Sequence, residues 1–141
     1  ECLVKLKSDA KPKWGIMTPQ HLMEHLELTY KIASGEIQSF DIATPEKILE
    51  KVHNSLYNYN KFPKNSPYPT SKIGELEDLR YSDFLTAKQN FLEAREAYKT
   101  FFKENPNAVL KNLVFGKLNR YESYLLERKH LNHHFEQFGL I

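Results

Sequence analysis

The chain has 141 residues, 40% of them hydrophobic and 13% aromatic, which is enough apolar material for one domain with a single core. Its 20 Lys and Arg against 18 Asp and Glu give a net charge of +2, so the broad cationic surface of a nucleic-acid binder is excluded. The single cysteine, Cys2, excludes an intramolecular disulfide, and no stretch approaches the roughly 20 apolar residues of a membrane helix.

We therefore predict one cytoplasmic domain spanning residues 1–141, without nucleic-acid or membrane partners. Because Glu1 is not an initiator Met, an alternative is that the chain is the C-terminal domain of a longer protein.

Two Thr-Pro pairs begin the first two predicted helices. Thr can cap the free N–H groups at a helix start, and Pro fits the first helical position because it has no N–H. After Thr18-Pro19, apolar residues recur at helical spacing until Gly35. After Thr44-Pro45, a second helix is expected to end near Asn60. The segment 62–74 contains three prolines and is predicted to be a loop.

Two longer helices are predicted in the second half of the chain. The third begins after Ser82 and closes at Asn105-Pro106, and the fourth runs from Asn119 to Gln137, with Gly139 ending it. The apolar stripe predicted for the third helix comprises Phe84, Leu85, Ala87, Phe91, Ala94, Ala97 and Phe101. The link 107–116 is expected to be irregular, and no segment alternates with the period of a strand. The prediction is an all-α antiparallel four-helix bundle.

Five of the six histidines fall into two clusters, one on the first predicted helix and one on the last. His21 and His25 are four residues apart, as are His130 and His134, and this spacing puts both side chains of a pair on one helical face. Such pairs on facing helices of a bundle can share a metal ion, and neutral imidazole suits zinc, nickel, copper or iron. The sixth, His53, is interpreted as a surface or half-buried imidazole.

Helical geometry selects among these histidines. At 100° per residue, an apolar stripe on the last helix lies beside His134 and close to His130, whereas His133 points away from it. On the first helix His25 lies nearer the apolar stripe than His21. We therefore predict that His25, His130 and His134 face inward. The stripe used for the last helix consists of Tyr124, Leu131, Phe135 and Phe138.

These residues also resemble a known family. The run from Trp14 through Thr18-Pro19 to His25-Leu26 is similar to the second-helix signature of the DinB-like superfamily. The run His130-Leu-Asn-His-His-Phe-Glu-Gln137 is similar to the closing H-x-x-H-H-x-x-Q helix of the same superfamily. Phe115-Gly-Lys-Leu118 matches the FGxL lead-in of an uncharacterised branch.

The resemblance implies a four-helix bundle that holds a divalent metal ion, zinc, nickel or similar, through His25, His130 and His134. Characterised members are metal-dependent transferases or isomerases that use a low-molecular-weight thiol such as bacillithiol, mycothiol or glutathione. One departure is that only about a dozen residues precede Trp14, whereas the first helix of the superfamily is usually long. The thiol-binding surface is therefore expected to differ.

The predicted function is a metal-dependent reaction on a small molecule, either thiol transfer or hydrolysis. Glu127 lies on the inward sector of the last helix and is the candidate catalytic base; Glu24 is the other acid near the trio in sequence, and Gln137 is a candidate hydrogen-bond partner for a ligand. The alternative is a non-catalytic domain in which the metal only joins two helices. A closed coordination sphere would favour that alternative, and an adjoining cavity would favour catalysis. A homodimer is the assembly to test.

Overall fold

The structure, a computed structural model, describes residues 2–65 and 75–141. This part of the chain is mostly helical, with one two-stranded sheet. In chain order its elements are a 3-10 turn at Cys2–Val4, helix α1 (Pro19–Ala33), helix α2 (Glu46–Asn54), a 3-10 turn at Ser55–Tyr57, helix α3 (Phe84–Glu104), strands β1 (Leu110–Asn112) and β2 (Gly116–Leu118), and helix α4 (Arg120–Gln137). None of these helices is both long and apolar enough to cross a membrane. The predicted loop 62–74 is coil and turn over residues 62–65, and its remainder lies outside the described residues.

Helix α1 begins as predicted. The side chain of Thr18 accepts a hydrogen bond from the backbone N–H of His21 at 3.3 Å, and Pro19 is the first helical residue. The helix ends at Ala33, two residues before Gly35, whose φ of +81° a glycine adopts without strain.

Helix α2 is shorter than predicted and starts differently. Thr44 does not cap it, because its hydroxyl donates instead to the carbonyl of Val114 at 2.6 Å. Pro45 occupies the cap position, and the helix ends at Asn54 rather than near Asn60. No residue of α2 is buried, so this helix lies on the surface, and Thr44 ties its start to the β1–β2 link.

The core lies between α1 and α3, which pack directly against each other. Tyr30 of α1 contacts the rings of Phe91 and Tyr98 of α3, with centroids 5.7 and 5.3 Å apart. Of the seven residues of the predicted α3 stripe, four are buried and Phe101 is half-buried against the core, but Leu85 is 73% exposed and Ala97 is also exposed. The buried row has regular helical spacing and consists of Phe84, Ala87, Phe91, Ala94, Tyr98 and Phe102.

The link predicted to be irregular contains an antiparallel hairpin, so the all-α prediction is wrong here. Strand β1 pairs with β2 in a register that places Leu110 opposite Leu118 and Asn112 opposite Gly116. The side chain of Asn112 accepts from the backbone N–H groups of Val114 and Phe115 at 2.9 and 3.0 Å, and Gly116 has a φ of +77°. The turn is therefore closed by a side chain and a glycine four residues apart, which a search for Asn-Gly pairs does not detect.

Helix α4 ends at Gln137 as predicted, and it starts one residue later than predicted, at Arg120, because Asn119 forms a reciprocal cap. The Asn119 side chain accepts from the Glu122 N–H at 3.0 Å, and the Glu122 carboxylate accepts from the Asn119 N–H at 2.9 Å. The predicted apolar stripe is right only in part: Phe138 is buried in the core and the half-buried Leu131 packs against it, whereas Phe135 is half-buried and Tyr124 is 51% exposed. The buried residues within α4 are polar: Glu122, Ser123, His134 and Gln137.

Candidate metal centre

Three histidines from two helices converge on one point. His25 comes from α1, and His130 and His134 come from successive turns of α4. One nitrogen of each ring lies within 4.8 Å of the other two. The Nε2 atom of His130 is 2.8 Å from Nε2 of His25 and 3.0 Å from Nε2 of His134. The structure thus brings together the three histidines that the sequence singled out, in a group that could hold a metal ion.

Gln137 determines which nitrogen of His134 carries the proton. Its amide Nε2 donates to the carbonyl of Trp14 at 3.0 Å, so its Oε1 faces Nδ1 of His134 at 2.8 Å. An amide oxygen only accepts, and Nδ1 of His134 must therefore donate. In the neutral ring this leaves a lone pair on Nε2, the atom that faces the other two histidines.

The environment keeps the three rings neutral. Burial lowers the pKa of His25 to about 3 and of His134 to about 4, and it lowers the pKa of His130 well below its usual value. Charge on neighbouring histidines lowers these pKa values further, because like charges repel. Neutral imidazole is the form that binds a metal.

The donor set fits a divalent ion better than it fits a set of hydrogen bonds. A single ring nitrogen has one proton or one lone pair, so Nε2 of His130 cannot make linear hydrogen bonds to both neighbours. A tetrahedral zinc ion with bonds of about 2.0–2.1 Å separates its ligand nitrogens by about 3.3 Å. The two separations from His130, 2.8 and 3.0 Å, are a few tenths of an ångström below this value, and all three nitrogens lie within 4.8 Å of one another, so the group could hold the ion after side-chain adjustment.

The other histidines lie outside this group. The ring of His133 packs against Trp14 and Phe62, with centroids 5.8 and 6.3 Å apart, and Nδ1 of His21 is 2.6 Å from the Thr18 hydroxyl oxygen at the start of α1. His53 is half-buried, as interpreted from the sequence, and its two nitrogens face the Phe115 carbonyl and the Glu122 carboxylate, each at 2.9 Å.

A cavity of about 570 Å³ adjoins the three histidines. This volume falls within the range of about 300–1,000 Å³ that is typical of small-ligand sites. The α4 side of the cavity carries a row of polar residues spaced four, three, four and three apart, here called the polar row: Ser123, Glu127, His130, His134 and Gln137. Much of the remaining wall is apolar and includes Trp14, Ile16, Phe62, Leu113, Val114 and Phe115.

Glu127 borders this cavity, and its carboxylate is held by two partners. The hydroxyl of Tyr30 donates to its Oε1 atom, and Nε of Arg95 lies 3.7 Å from the same oxygen. Burial raises the pKa of Tyr30, and the charge of Glu127 raises it further, so the phenol keeps its proton. The sequence pointed to Glu127 but to neither Tyr30 nor Arg95.

Glu24 has a different role from the one its position next to His25 suggested. Its carboxylate accepts from the backbone N–H groups of Arg80 and Tyr81 at 2.7 and 3.2 Å, and it does not line the cavity. Burial raises its pKa, but these bonds and those from Gln20 and the Arg80 side chain outweigh the effect, so the pKa lies below its usual value. Glu27, only 1% exposed, pairs with the Arg80 guanidinium at 2.9 Å.

A sequence signal for the polar row does exist. Polar residues at heptad-like spacing through a helix that contains two histidines four apart mark a face that lines a polar site. The sequence prediction of the inward face was based instead on the apolar residues of α4, which lie on a neighbouring face.

Comparisons of the chain with protein-family models, with curated proteins and with solved structures find no match.

Proposed function

We propose that this chain is a divalent-metal-dependent enzyme of the DinB-like type, in which His25, His130 and His134 bind the ion within a helical bundle. The substrate is a small molecule that enters the adjoining cavity, and the reaction is thiol transfer or hydrolysis. Zinc and nickel are the ions that we put forward first, because neutral imidazole suits both.

One observation carries the proposal: three neutral imidazoles from two helices converge beside a cavity of about 570 Å³. Three protein ligands leave coordination positions open, as in catalytic sites, whereas structural sites are closed by four. The adjoining cavity favours catalysis over the alternative in which the metal only joins two helices. The motifs at Trp14–Leu26 and His130–Gln137 support the DinB-like assignment.

The residues of the chain have distinct parts in this proposal. When bound, a divalent ion supplies a Lewis acid that lowers the pKa of a coordinated thiol or water. Gln137 holds the His134 ring with its lone pair toward the site, and the apolar walls exclude water from the reacting groups. Glu127 is the candidate base. The hydroxyl of Tyr30 donates to the Oε1 atom of Glu127, and Arg95 limits the movement of the Glu127 carboxylate.

Metal content tests the ligand assignment. Purified protein equilibrated with Zn²⁺ or Ni²⁺ and then dialysed should retain about one equivalent by elemental analysis. Alanine at His25, His130 or His134 should abolish retention. Alanine at His21 and His133 provides matched controls on the same helices, and both variants should keep the metal. Loss of metal in His133→Ala with retention in His134→Ala would contradict the assignment.

A reaction panel tests catalysis separately. The metal-loaded protein should accelerate displacement of chloride from chlorodinitrobenzene by a thiol, or cleavage of a p-nitrophenyl ester by water, relative to His130→Ala. Glu127→Gln should keep the metal and lose at least tenfold of that rate, because general bases contribute on the order of 10²–10⁴-fold. A metal-loaded protein that accelerates neither reaction would favour the non-catalytic alternative.

A further inference from the structure

The cavity beside the three histidines has walls of two chemical kinds. The polar row of α4 and His25 form one side. Three other parts of the chain, the segment 14–17, the coil at 62–65 and the link between β1 and β2, contribute lining residues that are mostly apolar. A ligand that fills this volume therefore presents its polar group to the histidines and an apolar body to these residues.

Aromatic rings line the cavity in a continuous row, here called the aromatic wall. The ring of Trp14 lies 5.8 Å from His133, His133 lies 6.3 Å from Phe62, and Phe62 stacks on Phe115 at 5.9 Å. All four residues border the cavity. Rings that support one another in this way give a rigid apolar surface, which favours a ligand with an alkyl or aryl body.

The lining of the cavity offers no cationic side chain that could pair with a carboxylate. Among the described residues that line it, the two acids are Glu75 and Glu127, and none is a lysine or an arginine. Lys64 places its Nζ atom 4.3 Å above the Trp14 ring but is not among these lining residues. An apolar lining without lysine or arginine disfavours a ligand that carries several carboxylates, because each would be desolvated without a cationic side chain to pair with it.

We infer that the ligand of this site is an apolar molecule with one metal-binding head group, such as an alkyl or aryl thiol, and is not a carboxylate-rich thiol such as glutathione. This inference rests on the proposed metal site. The head group reaches the histidines, and the body lies against the aromatic wall and the apolar residues Ile16, Leu113 and Val114.

Cobalt substitution tests the proposed metal site and the inferred ligand preference separately. Co²⁺ is bound to the full chain first, and its visible absorption reports the site without any thiol. Propanethiol, pentanethiol, heptanethiol and glutathione are then titrated, and the thiolate-to-cobalt absorption is followed. Affinity should rise about threefold to fourfold for each added methylene, as expected for burial of an alkyl chain, and glutathione should bind more weakly than propanethiol.

Two matched variants locate the effect in the cavity. Ile16 borders the cavity and is 52% exposed, so Ile16→Lys should fold, bind Co²⁺, reduce the chain-length dependence and strengthen glutathione binding at least threefold. Leu85→Lys makes the same change at a residue of α3 that is 73% exposed and away from the cavity, and it should leave the whole series unchanged.

Two results would overturn the inference. If Co²⁺ is bound but affinity is independent of chain length, or glutathione binds as tightly as heptanethiol, the apolar-ligand inference is wrong and the metal site stands. If no Co²⁺ is bound, the proposed metal site is wrong, and the inference that rests on it is wrong as well.

Discussion

At the scale of single residues, Gln137 connects the candidate metal centre to the N-terminal segment. It accepts from Nδ1 of His134 and donates to the carbonyl of Trp14, so one amide both orients a candidate ligand and anchors the backbone at the edge of the cavity. Its own carbonyl accepts from the N–H of Lys13 at 2.6 Å. The shape of the cavity and the tautomer of His134 are thereby coupled through one side chain.

Replacing this amide should weaken metal binding without removing a ligand. In Gln137→Leu the His134 ring loses the acceptor that holds its Nδ1 proton, and we expect Zn²⁺ affinity to fall about 10–100-fold, the usual effect of losing such a partner. Competition with a chromophoric chelator measures the change. Gln89→Leu, at an exposed position of α3, should bind Zn²⁺ like the parent chain. Unchanged affinity in Gln137→Leu would show that this bond does not orient the ring.

At the scale of elements, a histidine joins α2 to α4. His53 faces two acceptors, the Phe115 carbonyl and the Glu122 carboxylate, and Tyr57 also donates to Glu122 at 2.6 Å. Burial lowers the pKa of His53, but the two hydrogen bonds and the charge of Glu122 outweigh it, so the pKa is raised. The pKa of Glu122 is lowered, because bonds from Tyr57, Asn119 and His53 outweigh the effect of burial.

This pair predicts a pH dependence of stability. Because the pKa of His53 is higher in the folded chain than in the unfolded chain, protonation of His53 stabilises the fold. This stabilisation is complete below a pH of about 6.5, the pKa of the unfolded chain, and is lost as the pH rises through the pKa of the folded chain. The stabilisation is expected to be at most about 1 kcal/mol, because the His53 side chain is 24% exposed. Urea unfolding of metal-free protein should therefore show a larger difference between the parent chain and His53→Ala at pH 5.5 than at pH 8.5. An equal difference at both pH values would contradict an ionised His53.

A network between the exposed Arg80 and two buried acids of α1 holds the segment before α3 against α1. The Arg80 side chain bonds to the Glu24 backbone carbonyl at 2.6 Å and to Glu27 at 2.9 Å, and Tyr81 donates to Glu27 at 2.7 Å. Lys31 also pairs with Glu27 at 3.0 Å. This network explains why two acids of α1 can be buried close to the core.

Replacing Arg80, the cation of this network, should destabilise the fold. Arg80→Ala leaves Glu24 and Glu27 buried with fewer partners, and we expect a loss of about 2–3 kcal/mol in the free energy of unfolding. Urea denaturation at neutral pH measures it. Arg128→Ala removes an exposed cation of α4 and should change stability by no more than about 0.5 kcal/mol. Similar values for the two variants would show that the Arg80 network contributes no more than a surface charge.

At the scale of the whole molecule, α4 is attached differently from the other long helices. Helices α1 and α3 pack directly along their lengths, whereas the backbone of α4 lies mainly against the Ser55–Tyr57 turn and β2. Side chains of the polar row reach α1, through His130 to His25 and through Glu127 to Tyr30. Because His25 belongs to α1 and the other two histidines belong to α4, a metal ion bound by all three would join α4 to α1 directly.

Metal should therefore stabilise the fold and protect α4 in particular. At a free Zn²⁺ concentration about 100 times the dissociation constant, the gain is about 2.7 kcal/mol, which corresponds to a rise in Tm of about 10 °C. Amide hydrogen exchange should slow most in α4 and in α1 around His25. His130→Ala should show neither effect. A rise in Tm with no change in α4 exchange would contradict a bridge between the two helices.

Local patterns in the sequence determined the parts of this protein that depend on neighbours along the chain. The Thr18-Pro19 start of α1 and the shared face of His130 and His134 were predicted, because capping and a spacing of four act within one or two turns, and the start of α4 was predicted to within one residue. Apolar residues at helical spacing also identified most of the buried row of α3.

Only the tertiary structure decided what these elements meet. Thr44 bonds to Val114 instead of capping α2, Glu24 bonds to Arg80, and the α4 side of the cavity is lined by the polar row. Each outcome depends on a partner more than fifty residues away or on a cavity between helices, and no local pattern encodes either. The candidate metal centre depends on both local spacing and tertiary packing, because the spacing of four pairs His130 with His134 but only packing brings His25 to them.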